Sequence, residues 1–137
     1  MDLIDSLKAL YREMSILELS SINSTEGTLS YMDMLYLDMI YFSEGCTPSH
    51  IADSLKVARS AVTIRLNKLM EKGMIERTKS TTDGRVCYLK LSAATRKDYD
   101  DFFEKMRPSI DILEKEFTPE QVELFGKMMS RLTTDTF

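Results

Sequence analysis

The chain has 137 residues, 43% of them hydrophobic and 29% charged, with a formal net charge of −4. That size suits one domain whose core needs no disulfide or metal to hold it. No apolar run approaches the roughly 18 residues of a membrane-spanning helix. The acidic, amphipathic start MDLIDSLKALYREM lacks a secretion signal's basic region and apolar core, so cytosolic residence is expected.

In chain order, Leu3, Leu7, Leu10, Met14 and Leu17, with Ile4 and Tyr11 alongside, form a stripe at helical spacing and predict a helix over residues 2–21. Asn23 to Thr28 reads as a polar linker. Ser30 and Asp33 have the spacing of a capping pair. They open a helix from Tyr31 to Ser43 that is apolar nearly all round, as a buried helix is, and Glu44-Gly45 ends it. Thr47 is a good N-cap and Pro48 suits the first helical position. Ile51, Ala52 and Leu55 mark one apolar face, and Lys56-Val57-Ala58 is short enough for the tight turn between two steeply crossed helices. The second of these runs from Arg59 to Gly73, a residue suited to the left-handed C′ position. Met74–Lys79 and Arg85–Leu91 read as strands joined by the polar turn Ser80–Gly84. Ser92 then caps a long helix carrying Tyr99, Phe102, Phe103, Met106, Ile110 and Leu113, which Pro108 should kink or restart. Thr118-Pro119-Glu120-Gln121 starts a last helix with Val122, Phe125, Met129 and Leu132 on one stripe. The fold class is therefore mainly α with a small β-hairpin wing: a winged helix-turn-helix over 29–92, flanked by helices at 1–22 and 93–137.

The helix after the tight turn carries most of the functional information. At about 100° per residue, Val62, Leu66, Leu69 and Met70 share the face that packs inward. Ser60, Ile64, Asn67 and Lys68 point the other way, with Thr63 on one flank and Arg65 and Lys72 on the other. Hydroxyls and an amide there suit base edges in a major groove, cations suit phosphates, and an exposed Ile64 suits a thymine methyl. A solvated helix with one stray apolar residue is the bland reading, and charge tips the balance. From Thr47 to Leu91 there are nine Lys/Arg and four Asp/Glu, net +5, which leaves −9 for the rest of a chain totalling −4. A basic block in an acidic chain is the footprint of a polyanion site. The candidate DNA contacts are Thr47, Ser49 and His50 at the start of the first crossed helix; Arg59, Ser60, Ala61, Thr63, Ile64, Arg65, Asn67 and Lys68 on the second; and Lys79 on the hairpin.

The run Val57–Arg77 (VARSAVTIRLNKLMEKGMIER), with Asp83-Gly84-Arg85 and a strand ending Leu91-Ser92, resembles the MarR family of winged helix-turn-helix repressors. The resemblance is strongest over about a third of the chain. It implies that Asp83 braces the wing while Arg85 reaches the minor groove. It also implies a homodimer on a pseudo-palindromic operator, its recognition helices about 34 Å apart. The apolar stripes of the terminal helices suit such an interface. A small apolar or phenolic effector would sit where those helices meet the winged unit, near Met14, Tyr31, Leu35 and Tyr36. Three positions depart from the family pattern: Ala58 stands where a capping Ser is common, Ile64 where a basic or polar residue is frequent, and Thr95 where a Gly is common.

Other chemistries find little support. Cys46 and Cys87 make no disulfide framework, and the first helix lacks the cysteine that peroxide-sensing relatives use. Cys46 with His50 is two ligands short of a structural zinc site. No catalytic constellation is present, so neither enzymatic activity nor a cofactor is expected. The alternative is a winged-helix protein-interaction module, against which the basic block and Arg85 count.

Overall fold

The structure, a computed structural model, describes residues 2–22 and 29–134; the expected linker at 23–28 lies outside the described residues. The elements in order are α1 (Leu3–Ile22), α2 (Tyr31–Phe42), α3 (Pro48–Leu55), α4 (Arg59–Glu71), β1 (Ile75–Lys79), β2 (Cys87–Leu91), α5 (Ala93–Glu104), α6 (Arg107–Glu116) and α7 (Pro119–Thr134). The chain is mainly helical with one antiparallel hairpin, as its sequence pattern predicts. It divides into two compact units, residues 1–98 and 99–137, with the division inside α5.

In the first unit, the sequence's start and stop signals are used as written. Ser30 and Asp33 form a full capping box on α2: Ser30 Oγ accepts from the Asp33 N–H at 3.1 Å, and Asp33 Oδ2 accepts from the Ser30 N–H at 3.0 Å. Thr47 Oγ1 accepts the His50 N–H at the head of α3, and Pro48 fills the first turn. The turn into α4 uses a left-handed residue that composition does not announce, Lys56 at φ 52°. Ala58, at the N-cap of α4, supplies no side-chain bond. The far end of α4 closes around Gly73 at φ 69°, whose N–H bonds the Met70 carbonyl while the Met74 N–H bonds that of Leu69.

That closure takes the Met74 N–H, so β1 starts at Ile75, one residue later than the pattern suggests. β2 starts at Cys87 rather than Arg85, because the turn consumes the preceding amides: Arg85 N–H bonds the Asp83 side chain and Val86 N–H the Asp83 carbonyl. The strands pair Ile75 with Leu91 through Lys79 with Cys87. The Leu89 N–H bonds the Cys46 carbonyl at 2.8 Å, which ties β2 to the segment before α3. The core gathers Tyr36, Leu37 and Ile40 of α2, Ile51 and Ala52 of α3, Val62, Leu66 and Leu69 of α4, Cys46 before α3, and Ile75, Leu89 and Leu91 of the hairpin. At about 25 cal/mol per Å² of apolar surface removed from water, this single cluster is the main force fixing α4 and the wing.

The long helix expected after the hairpin is two. The Lys105 and Met106 N–H groups bond back three residues to Phe102 and Phe103, tightening the end of α5. Pro108 then sits in the first turn of α6, where its missing N–H costs no ladder bond. In the second unit, Arg107 bridges Asp111 at 2.7 Å and Glu114 at 2.8 Å along α6. Thr118 and Gln121 exchange capping bonds that start α7.

Candidate nucleic-acid interface

α4 presents two sides that differ in kind. Val62, Leu66 and Leu69 are buried, and Ser60, Ala61, Thr63, Ile64, Asn67 and Lys68 are exposed. Ile64 is 61% exposed, so no described part of the chain buries it. Arg59, at the first turn, is exposed as well. Met70, expected inward, is only half-buried. Thr63 donates its hydroxyl hydrogen to the Arg59 carbonyl at 3.1 Å, so toward a base it is left mainly as an acceptor. Asn67 Oδ1 accepts a long 3.4 Å bond from Arg77 Nη2, which leaves the amide donors outward.

Arg65 is placed differently from the other outward residues of α4. The helical wheel places it on an outward flank, as a cation for phosphate. In the structure its Nη1 lies 2.7 Å from Asp33 Oδ1 and 3.0 Å from Ser30 Oγ, and its guanidinium carbon stands 5.7 Å from the centre of the Tyr36 ring. The wheel gives direction around α4 but not what stands beside it, and α2 stands there. Burial would raise the Asp33 pKa; the Ser30 N–H, the Arg65 guanidinium and the Ser30 hydroxyl outweigh it and hold the carboxyl below its usual value. Burial also raises the Tyr36 phenol, against the pull of Arg65.

The wing tip is held by side chains. Ser80 Oγ accepts from the N–H groups of Thr82 and Asp83, both at 3.2 Å, and Asp83 Oδ1 accepts from the Arg85 N–H at 3.0 Å. Ser80 N–H closes the loop on the Val86 carbonyl at 2.9 Å. With its backbone so fixed, Arg85 projects an exposed guanidinium from the tip, and Lys79 stands exposed at the end of β1. At the head of α3, Ser49 and His50 are exposed and Thr47 is half-buried by its capping role. A helix N-terminus carries partial positive charge that favours a phosphate.

Arg77 was missing from the contacts read off the sequence. Strand alternation puts it on the same side of β1 as buried Ile75, toward α4, and its reach to Asn67 follows. Period-two counting along β1 would have found it.

The four effector-pocket residues are not gathered on one face. Tyr31 is 77% exposed and Tyr36 is 1% exposed; five residues apart on α2, they point about 140° away from each other. Leu35 is half-buried and Met14 exposed. Cys46 is buried, which raises its thiol pKa and works against a reactive thiolate, while His50 is exposed. Among the described residues, no three or more His, Cys, Asp or Glu are grouped to hold a metal ion. No described helix is long and apolar enough to cross a membrane.

Comparison with known proteins agrees with this geometry. The MarR family model matches residues 28–86, from just before α2 to the wing tip. The chain is 31% identical over 100 residues to the transcriptional regulator ZitR of Lactococcus lactis, covering 71% of this chain and 69% of that one. It is 29% identical over 96 residues to the uncharacterized HTH-type transcriptional regulator YwhA of Bacillus subtilis, covering 70% and 69%. Among solved structures, a MepR mutant from a multidrug-resistant S. aureus clinical isolate superposes with TM-score 0.75 at 17% identity, over 96% of this chain and 95% of that one. Streptococcus pneumoniae FabT in complex with DNA superposes with TM-score 0.65 at 24% identity, over 95% and 92%. At such identities the structural likeness speaks for the fold.

Proposed function

This chain belongs to the MarR family, and on that premise we propose that it represses transcription by binding a pseudo-palindromic duplex operator as a homodimer. In this reading α4 enters the major groove, with Ser60, Ile64, Asn67 and Lys68 toward the bases. Arg59, Lys79 and the head of α3 meet phosphates, and Arg85 enters the minor groove. The observation that carries the reading is the wing tip, where Asp83 accepts the Arg85 N–H and so braces the backbone from which the exposed Arg85 side chain extends. A rigid cationic tip beside an exposed helix with mixed polar and apolar readers suits a groove better than it suits a flat protein surface. The dimer reading rests on the exposed apolar residues of the terminal helices, Leu3, Ile4 and Tyr11 on α1 and Leu124, Phe125 and Met128 on α7. Release by a small apolar or phenolic effector, and a cytoplasmic location, complete the reading.

Selection of duplex fragments from a random pool by the purified protein tests it. A two-fold related motif should be enriched, and affinity for it should fall steeply with salt as phosphate contacts release counterions. A chain that enriches nothing and binds duplex without salt dependence would instead be a protein-interaction module.

A further inference from the structure

We propose that Arg65 is a positioning residue: through Asp33 it latches the recognition helix α4 to the start of α2, and operator affinity depends on that latch rather than on a phosphate contact by the guanidinium. The inference rests on the DNA-binding reading above and assigns a flank of α4 a different task within it.

The latch is built from shared atoms. Asp33 divides its two oxygens, Oδ2 accepting the Ser30 N–H in the α2 capping box and Oδ1 accepting Arg65 Nη1. Ser30 Oγ is shared in the same way, accepting from the Asp33 N–H and from Arg65 Nη1. The cap of α2 and the grip on α4 therefore use the same two side chains, and disturbing one disturbs the other. The Asp33 side chain is 11% exposed, against 55% and 60% for the cross-strand pair Glu76–Lys90. Water can replace Arg65 poorly there, so an Arg65 that swung out to a phosphate would leave a nearly enclosed carboxylate without its cation.

The latch supplies what the apolar core does not. Val62, Leu66 and Leu69 hold α4 by burial, which is proportional to area and has no direction. A guanidinium between a carboxylate, a hydroxyl and an aromatic face has direction and fixes rotation about the helix axis. Side-chain tips stand about 5–6 Å from that axis, so a rotation of about 10° moves them by about 1 Å. A displacement of that size spoils the narrow distance range of a hydrogen bond to a base edge. Ile64 adjoins Arg65 and Asn67 lies two residues on, so both readers move with it.

The test uses the full-length protein, the duplex enriched from the random pool, and an unrelated duplex of equal length, with binding followed by anisotropy over a potassium chloride series. Asp33→Asn keeps Arg65 and retains an oxygen for the Ser30 N–H. It should weaken binding to the enriched duplex about tenfold, with binding to the unrelated duplex and the salt slope unchanged. Arg65→Gln should cost about the same with no change in slope, the double variant should be no weaker than either single one, and Arg65→Lys should recover part of the loss. Plain destabilisation would instead weaken binding to both duplexes together, and that result would overturn the latch. Should Asp33→Asn not fold, Ser30→Ala removes one acceptor of Arg65 and should show the same selective loss. The latch is overturned if Asp33→Asn tightens binding to both duplexes, or if Arg65→Gln lowers the salt slope by about one phosphate, since Arg65 would then be a phosphate contact that Asp33 holds back. Variants indistinguishable from a wild type that binds overturn the latch alone; a wild type that binds no duplex overturns the DNA reading and the latch with it.

Discussion

Arg85 and Arg65 are both arginines of the basic block, yet their neighbours give them opposite fates. Asp83 takes the Arg85 backbone, and among the described residues nothing holds its guanidinium, whereas Asp33 takes the Arg65 guanidinium itself. Arg85→Ala is therefore expected to weaken operator binding at least tenfold, about 1.4 kcal/mol, with an unchanged circular dichroism spectrum; unchanged affinity would remove the wing tip from the mechanism. Ile64→Ala should cost on the order of 1 kcal/mol on the selected operator, from lost apolar burial. That loss should shrink when the contacted thymine is replaced by uracil, which lacks only the methyl, and equal losses on both operators at every position would show that Ile64 merely decorates the surface. Asp33 also sets a pH dependence. Its folded pKa lies below the ordinary 3.8, so the stability it contributes is fully present above the unfolded value and is lost as pH falls through the folded one. Denaturant titrations should find Asp33→Asn less stable than wild type at pH 7, with the gap narrowing below about pH 4; a gap of equal size at both would show that charge plays no part. The bracing of the Arg85 backbone by Asp83 was expected from the family resemblance, and it is a local bond between residues two apart. The fate of the Arg65 guanidinium was not legible in the sequence, because its partner is 32 residues distant and only tertiary packing brings the two together.

Among the elements, helix ends were the most legible features, since caps are local chemistry. Ser30, Thr47, Gly73 and Thr118 all take the roles their types suggest. Two details escaped for physical reasons. Lys56 adopts φ 52° because the crossing of α3 and α4 demands it, at a site where composition favours nothing. The break between α5 and α6 was visible in Pro108, but whether a proline kinks a helix or restarts it depends on how the preceding turn closes. Ala58 offers a test at this scale. Its backbone is already extended at φ −65°, ψ 138°, and it makes no capping bond. Ala58→Ser should therefore stabilise the protein by about 0.5–2 kcal/mol in denaturant titration, with DNA binding preserved. A destabilised variant would mean that the hydroxyl finds no helix N–H to accept.

The molecule as a whole carries apolar surface at both ends of its sequence that the described contacts leave open. Replacing Phe125 and Met129 with Asp, or deleting Asp2–Leu19, is expected to yield monomer or aggregate in light scattering. A clean folded dimer after both changes would place the interface elsewhere. The exposed apolar residues of α1 would, in the proposed dimer, also make concentration a variable of the fold itself. Leu3, Ile4, Tyr11, Ile16 and Leu19 are all more than half exposed, and a helix in water owes most of its stability to packing rather than to propensity. On the proposed dimer reading, diluting the protein through the dissociation constant should therefore melt α1 first. Ellipticity per residue would drop by up to the share that 20 helical residues hold in a chain of 137, while the amides of Leu66 and Leu69 stay protected from exchange. Thinly expressed, such a regulator would lose its grip on DNA by fraying at one end, well before its winged core unfolds.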